Sequence, residues 1–524
     1  MASWILGTHS GHNSSACLLN DNRVVCAIEK ERLTRKKNDS GDPIECVEYV
    51  LKSAEINYQA VDLVVRSNWY DSKELSNEYY KRFRNTLNLL PHHLLHAYAS
   101  SICCIDEPYL IFIMDGRGCR PQDNNETRLS GDNLFETESV FLFKDGIISL
   151  LENRYAVHYK HKYKWGTHID SIGYAYDIVC KIVFGSRQTA GKIMALAAFG
   201  NLNDDIPGPF IDDTKYGVLI NPQWITYLDE LPFPIGWDNK TAKDLAFSIQ
   251  KALEKYIKSK IEHFMSKYNI NNVVLGGGIG LNCKNNGIIA NLPNINNYSV
   301  YCACGDSGLS LGAAIWGYRN IFQGRKRIEW TYGLGKKYMK SMPLIIGNIP
   351  QQIAELLIEN KVVGIFQNGA EFGPRALGNR SILASPRTLE MKYYLNTLKG
   401  RELFRPFGGM ILSKNLPRIT LQKLASPYML SAAEIFEHQK QLFPALIHQD
   451  GTIRLQIIDD NDENILCRNI LSELEALSKD FIIINTSFNG QNEPIVETPE
   501  QAMRSAIKMG LDYVIIDGIL SKIK

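Results

Sequence analysis

The order of apolar runs and turns predicts an α/β chain of two domains, the first built on a duplicated core. Three observations carry this. At 524 residues the chain exceeds what one hydrophobic core supports. Short β-branched runs alternate with helix-length segments, the pattern of a sheet covered by helices. A strand ending in a glycine- or acid-bearing turn occurs once in "YLIFIMDGRG" and again in "NNVVLGGGIGLN" and "YSVYCACGDSG". Backbone amides at such strand ends suit nucleotide phosphates, so the recurrence points to a duplicated nucleotide-binding core.

Taken in order, "SWILGTHSGHNSSACLLNDNRVVCAIEKERLTR" reads as three antiparallel strands, the second closing at Asn20-Asp21-Asn22. A helix near Pro43 to Ala54 follows, then the strand "VDLVVRS", the segment "HHLLHAYASSICC" and the strand "YLIFIM". Later come a polar helix from about Lys243 to Tyr268, the glycine-ended strand, a short strand in "YSVYCACGDSG", and the small-residue helix "LSLGAAIWGYRN". Periodicity is lost from Arg325 to Pro350, where Gly, Lys and Pro collect, and the boundary is set there: residues 1–340 and 345–524. The second domain is again α/β, with a helix over Gln351 to Glu359, the strand "VVGIFQ", and "FIIINTSFN" and "YVIIDGILS" at its end.

Bulk properties exclude several classes. The 58 basic and 56 acidic residues leave a formal charge of +2, which offers no footprint for nucleic acid or an anionic membrane. The 11 cysteines are scattered without a C-x-x-C pair, as reduced cytoplasmic thiols would be. The N-terminus lacks a basic leader region, and no run reaches the length of a membrane span, so a cytoplasmic location is expected.

Three constellations carry chemistry. His92 and His96 lie four residues apart, so on a helix both project from one face, whereas His93 points elsewhere. By spacing alone they are metal ligands, capping groups or polar core residues. Asp115 closes the strand "YLIFIM" and Asp306 sits in "CGDSG"; with the two histidines they would suit Fe(II), Mn(II) or Zn(II). The loop Gly276-Gly277-Gly278-Ile279-Gly280 follows a strand and would let backbone approach a nucleotide, or is simply a tight turn. It is neither a P-loop nor a Rossmann fingerprint. Between residues 370 and 410, Arg375, Arg380, Arg387, Lys392, Lys399, Arg401 and Arg405 outnumber Glu371, Glu390 and Glu402. Interleaved with Gly, Pro and Phe, this arginine-rich stretch suits a small phosphorylated substrate better than a solvated face.

The motifs "ILGTHSGHNSSACLL", "HHLLHA", "GKIMALAAFG", "LGGGIGLNCKNNG", "CGDSGLSLGAA", "EFGPRALGNRSILASPR", "FRPF", "SPYML", "HQDGTIRLQ" and "NTSFNGQNEPIVETPEQA" stand in the order found in the carbamoyltransferases of antibiotic biosynthesis and nodulation. The sequence resembles that family over nearly its whole length. The resemblance implies an actin-like ATPase domain, similar to the tRNA threonylcarbamoyladenosine enzymes, followed by a smaller YrdC-like domain. It implies two steps: carbamoyl phosphate and ATP give carbamoyl adenylate and pyrophosphate, and the carbamoyl group then moves to an acceptor hydroxyl.

Carried onto this sequence, the resemblance implies an Fe(II) site at His92, His96, Asp115 and Asp306, with Mn and Zn as alternatives. Lys192, Gly276, Gly277, Gly278, Asn282 and Asp306 would serve ATP. Arg375, Lys399 and Arg405 would grip carbamoyl phosphate, with Asn485 and Ser487 nearby. His12 is the candidate base for the acceptor proton, and Lys37 would stand close to the reacting phosphates. The sequence departs from the family pattern at Asn13 and Ala190, where acids are usual, and at Gly408-Gly409 after "FRPF". Acceptor contacts are expected from the loops around residues 66–90 and 117–135, and the acceptor is expected to be a small molecule of secondary metabolism, bound by a monomer or homodimer. Modification of a macromolecule and a catalytically idle ATP-binding scaffold are the competing readings. A hydrogenase-maturation carbamoyltransferase is disfavoured, since neither an acylphosphatase module nor C-x-x-C zinc fingers are found.

Overall fold

A computed structural model describes residues 3–67, 75–105, 108–124, 133–208, 211–214, 217–338 and 348–524. The junction between residues 340 and 345 lies outside the described residues, as do parts of the two acceptor loops.

The first sheet begins with β1 (Trp4–His9), β2 (Ser15–Asn20) and β3 (Arg23–Glu29), an antiparallel meander, as the alternating pattern predicts. β4 (Leu63–Ser67) and β5 (Thr86–Leu90) join it in parallel, giving the order β3-β2-β1-β4-β5. The second sheet repeats the plan. β6 (Tyr109–Met114), β7 (Leu134–Lys144) and β8 (Ile147–Tyr163) form the meander, extended by β9 (Gly166–Ile169). After a small hairpin of β10 (Ile211–Thr214) and β11 (Gly217–Ile220), β12 (Asn272–Gly276) and β13 (Asn297–Ser299) add in parallel to β6. Read from its other edge, this sheet runs β9-β8-β7-β6-β12-β13. Two sheets of one order and one set of strand directions make the core a duplication, the actin-like arrangement the resemblance implies.

The third sheet holds β14 (Val363–Phe366), β15 (Arg380–Ala384), β16 (Gly408–Leu412), β17 (Tyr428–Glu434), β18 (Thr452–Ile458), β19 (Ile482–Ser487), β20 (Tyr513–Ile516) and β21 (Ile519–Lys522), in the order β17-β18-β16-β19-β15-β14-β20-β21. Helices Ile349–Ile358 and Ile465–Ser478 bury Ile353, Leu357, Leu466, Ile470 and Leu474 against one of its faces.

Two expectations change in detail. The strand expected through "YSVYCACGDSG" is only Asn297–Ser299, because Tyr301 and Cys302 turn away to pack with Trp330 and Phe372 and the Cys302 thiol reaches the Phe372 carbonyl. The long β7–β8 hairpin is absent from the sequence reading, since β8 is largely exposed and carries little apolar alternation. Where the second sheet faces its helices, Lys240–Tyr268 supplies Leu245, Ile249, Leu253, Ile257, Ile261 and Phe264 at helical spacing to one core. Among the described residues no helix is long and apolar enough to cross a membrane, and all 11 cysteines are free thiols.

Candidate functional site

Pro91 starts the His92–Ser100 helix, placed directly after β5, and the helix buries all three histidines. His92 and His96 share one face, with their Nε2 atoms 3.2 Å apart. Asp115 follows β6 of the second sheet, and Asp306 opens the turn before the Leu309–Asn320 helix. The four side chains, drawn from both halves of the duplication, converge. His92 Nε2 stands 3.2 Å from Asp115 Oδ2 and 3.6 Å from Asp306 Oδ1, and His96 Nε2 stands 3.4 and 3.5 Å from the same atoms. One ligand atom from each residue lies within 4.8 Å of all the others.

Two carboxylates this close repel, and burial penalises their charge further. Against burial that favours neutral imidazole, hydrogen bonds and charge from Asp115 and Asp306 hold His96 up at about 9. Despite its own burial, Asp115 is held well below the usual carboxylate range by His92 and His96. A divalent cation would supply the same compensation, and two imidazoles with two carboxylates form a donor set that suits one. His93 faces away, with Nδ1 at 2.7 Å from Ser139 Oγ and 3.6 Å from Glu136.

The glycine loop is pressed against this cluster. Gly277 has φ +82°, and a Cβ there would meet the Met114 carbonyl; a Cβ on Gly278 would stand 3.1 Å from Asp115 Oδ1. Gly277 N donates to the Cys304 carbonyl at 2.9 Å, tying the loop to the turn that presents Asp306. Gly277 and Gly278 therefore let backbone lie close against Asp115 and the end of β6, while a Cβ on Gly276 would meet Ser100 Oγ and Ile113. Asn282 is occupied otherwise: its Oδ1 caps the Cys283–Ala290 helix through Asn285 N at 3.0 Å, and its Nδ2 donates to Gln250 at 2.9 Å.

His12 opens onto the same point, with Nδ1 at 3.9 Å from Asp306 Oδ2 and a side chain 47% exposed. His9, which the sequence reading passed over, lies behind it. Its Nε2 is 3.0 Å from the His12 carbonyl and its Nδ1 2.7 Å from Ser67 Oγ, and burial pushes its imidazole down to about 4. The repeat of His-x-x-His in "HSGH" was the available signal.

A second cluster is cationic. Burial and the neighbouring guanidinium of Arg454 push Arg375 down to about 10, and burial with Arg405, Arg454 and Arg375 pushes Arg401 down to about 9. Both stay protonated at neutral pH, so four guanidiniums crowd together. Glu402, 3.8 Å from Arg405 Nη1, compensates part of this charge, and guanidinium forks so grouped suit an anion. Arg401 and Arg454 were missing from the sequence assignment, although "GRELFRPF" and "DGTIRLQ" contain them. The first half of the chain adds two more cations. Lys37, its ammonium destabilised by burial and by Arg401, Arg405 and Lys192, sits beside this group, and Lys192 Nζ pairs with Glu402 at 2.5 Å.

The segment bearing Lys37 is bolted to the C-terminal half. Glu29 Oε1 accepts from Gly373 N at 2.6 Å, Arg32 donates to the Gly373 carbonyl at 2.7 Å, and Arg35 donates to the Pro494 and Ile495 carbonyls, each at 2.7 Å. Other assigned residues shape the pocket from behind. Lys399 Nζ donates to the Ser487 carbonyl and, at 2.7 Å, to the Asn489 carbonyl. Ser487 Oγ donates to Asn489 at 2.6 Å, and Asn485 Nδ2 donates to the Ala376 carbonyl, next to Arg375, at 3.2 Å. A cleft between the halves is lined by Met194, Phe199, Cys283, Phe404, His448 and Arg454.

Comparison with known proteins shows the family. A family model described as "Carbamoyltransferase N-terminus" matches residues 4–82 and 73–315, and one described as "Carbamoyltransferase C-terminus" matches residues 354–522. The chain is 28% identical over 554 residues to an uncharacterized protein of Methanocaldococcus jannaschii, covering 99% of this chain and 100% of the relative. It is 26% identical over 575 residues to nodulation protein NolNO of Sinorhizobium fredii, covering 98% of this chain and 79% of the relative. Among solved structures, T. kodakarensis HypF is 13% identical with a TM-score of 0.43, over 63% of this chain and 49% of that one. With family models spanning both halves, this chain belongs to the carbamoyltransferase family and is a carbamoyltransferase.

Proposed function

We propose that the enzyme uses ATP and carbamoyl phosphate to carbamoylate a hydroxyl of a small-molecule acceptor, through carbamoyl adenylate. The observation that carries this reading is the pairing of a buried two-His, two-Asp cluster with a separate cluster of guanidiniums, joined by a segment that brings Lys37 to the second.

In the first step water hydrolyses carbamoyl phosphate to carbamate and inorganic phosphate, and an oxygen of the carbamate then bonds to the α-phosphorus of ATP while the bond to pyrophosphate breaks. Arg375, Arg401, Arg405 and Arg454 bind and orient the anionic reactants, and Lys37 and Lys192 face the developing phosphate charge. Lys399, Asn485 and Ser487 hold the turn that fixes the pocket. In the second step the acceptor oxygen attacks the carbamoyl carbon, AMP leaves, and the acceptor proton passes to His12. His9 would orient His12 through its backbone carbonyl. His92, His96, Asp115 and Asp306 would hold Fe(II), or Mn(II) or Zn(II); such an ion supplies charge neutralisation for phosphate oxygens. The glycine loop lets the nucleotide lie beside it. A chain charge of only +2 favours a small metabolite as acceptor over a nucleic acid.

The test is to incubate the protein with Fe(II), ATP and carbamoyl phosphate and to look for carbamoyl adenylate and pyrophosphate. Absence of both in protein with metal bound refutes the mechanism.

A further inference from the structure

Arg375 is carried by a loop of the second half, residues 371–380, and that loop is held by the first half. Buried Glu371 ties the loop to itself: its Oε1 accepts from Leu377 N, Asn379 N and Arg380 N at 2.6, 2.8 and 3.1 Å. A loop so tied moves as one body. What grips it from outside therefore sets where Arg375 stands.

The grip falls on one peptide, Phe372–Gly373. Phe372 N donates to the Tyr332 carbonyl at 2.9 Å, and its carbonyl accepts from the Cys302 thiol at 3.5 Å. Gly373 N donates to Glu29 Oε1 at 2.6 Å, and its carbonyl accepts from Arg32 Nη2 at 2.7 Å. Gly373 has φ +116°, and a Cβ there would stand 2.7 Å from the Cys302 carbonyl, so the peptide is pressed between the two segments. Pro374 follows, and its ring fixes its own φ, so a displacement of Gly373 passes on to Arg375.

Each gripping segment leads to a different group of the reaction. The Lys30–Thr34 helix, which carries Arg32, runs into the turn of Lys37, and Glu31 Oε2 on that helix accepts from Asn38 N at 2.7 Å. Cys302 lies four residues before Asp306. Arg375 itself has Arg405 and Arg454 of the pocket and Cys304 of the first half as neighbours. Stability alone is a poor reason for this pair. Arg32 Nε stands 3.4 Å from Glu29 Oε2 with both side chains buried, and two buried charges seldom outdo an apolar seam. What the pair adds is direction, because it fixes the N–H and the carbonyl of Gly373 together.

We propose that Glu29 and Arg32 are positioning residues: by holding the Phe372–Gly373 peptide they keep Arg375 in register with Lys37 and Asp306, so that carbamate is captured by ATP before it escapes. This rests on the two-step reading above, which supplies the carbamate. Free carbamate takes up a proton and breaks its C–N bond to give ammonia and carbon dioxide, so escaped carbamate is lost to the second step. A coupled turnover releases one phosphate from carbamoyl phosphate and one pyrophosphate from ATP. Escape releases the first without the second.

The test is a single turnover with Fe(II)-loaded full-length protein and ATP in excess over carbamoyl phosphate, reading phosphate and pyrophosphate above the protein-free background. Their ratio is expected near one for wild type. R32Q and G373A disturb the peptide from its two sides and should each raise the ratio at least threefold, while R32K, which keeps a cation beside Glu29, should fall between. N291A removes the bonds between Asn291 and the Lys423 backbone, elsewhere between the halves. It should lower the unfolding midpoint and leave the ratio near one. A ratio near one in G373A and in the Arg32 variants overturns the proposal; where R32Q does not fold, R32K and G373A decide. An equal rise in N291A overturns it too, by tracing the loss to a loosened seam. Wild-type protein that releases phosphate without pyrophosphate defeats the two-step reading, and the proposal with it, before any variant is compared.

Discussion

Replacing Gly287 with alanine tests how the two halves of the chain meet. Gly287 lies inside the Cys283–Ala290 helix, where alanine normally gains roughly 1 kcal/mol over glycine. Here, however, an added Cβ would overlap the carbonyl oxygen of Ala432 on β17 of the C-terminal sheet. Backbone cannot yield as a side-chain tip can, so helix and strand must separate, at about 1–3 kcal/mol for overpacking. The same helix face holds other links. Asn286 donates to the Leu430 carbonyl at 2.7 Å, Asn291 exchanges hydrogen bonds with the Lys423 backbone at 2.9 and 3.0 Å, and Lys284 pairs with Asp450. Each hydrogen bond lost costs roughly 1 kcal/mol. Clash and lost bonds together exceed the propensity gain, leaving a net loss of about 3 kcal/mol. Thermal unfolding followed by calorimetry should show a lower midpoint for G287A, with amide exchange accelerated along both the helix and β17. A higher midpoint, as in a solvated helix, would refute the packing of the two halves described above.

Further outcomes follow from the two clusters. His92→Ala should lose bound metal and carbamoyl adenylate formation together; normal metal content with retained activity would remove His92 from the ligand set. Arg401→Ala and Arg454→Ala, each deleting a charged hydrogen-bond donor worth about 1.5–3 kcal/mol, should raise KM for carbamoyl phosphate roughly 10- to 100-fold, read from initial rates of pyrophosphate release. An unchanged KM would take them out of the anion pocket. Asp450 is partly buried, and hydrogen bonding and charge from Lys284 outweigh that burial and hold its carboxyl down at about 2, against 3.8 unfolded. A depressed acid stabilises the fold above pH 3.8 and loses that effect as pH falls toward 2. The gap in unfolding midpoint between wild type and Asp450→Asn should therefore be open at neutral pH and close in that acid window; a gap independent of pH would count against the pair.

The sequence by itself determined a good part of this protein. A His pair at helical spacing, an aspartate closing an apolar strand and another in a glycine turn can be read from local order, because strand ends and helix faces follow from short-range periodicity. The duplication was legible in part, from strands that recur with a glycine- or acid-bearing turn at their ends, while the second meander was not, because β8 is largely exposed. The order of the motifs brought the family with it. Tertiary structure alone decided which cations share a pocket. Lys399 looks like its arginine neighbours in sequence, yet its ammonium is spent on the Ser487–Asn489 turn, while Arg454, on a different strand, joins Arg375 and Arg401. Lys37 and Lys192 reach that pocket from the first half only through contacts such as Arg35 with Pro494 and Lys192 with Glu402. Long flexible side chains take their direction from partners hundreds of residues away, and no local pattern encodes those partners.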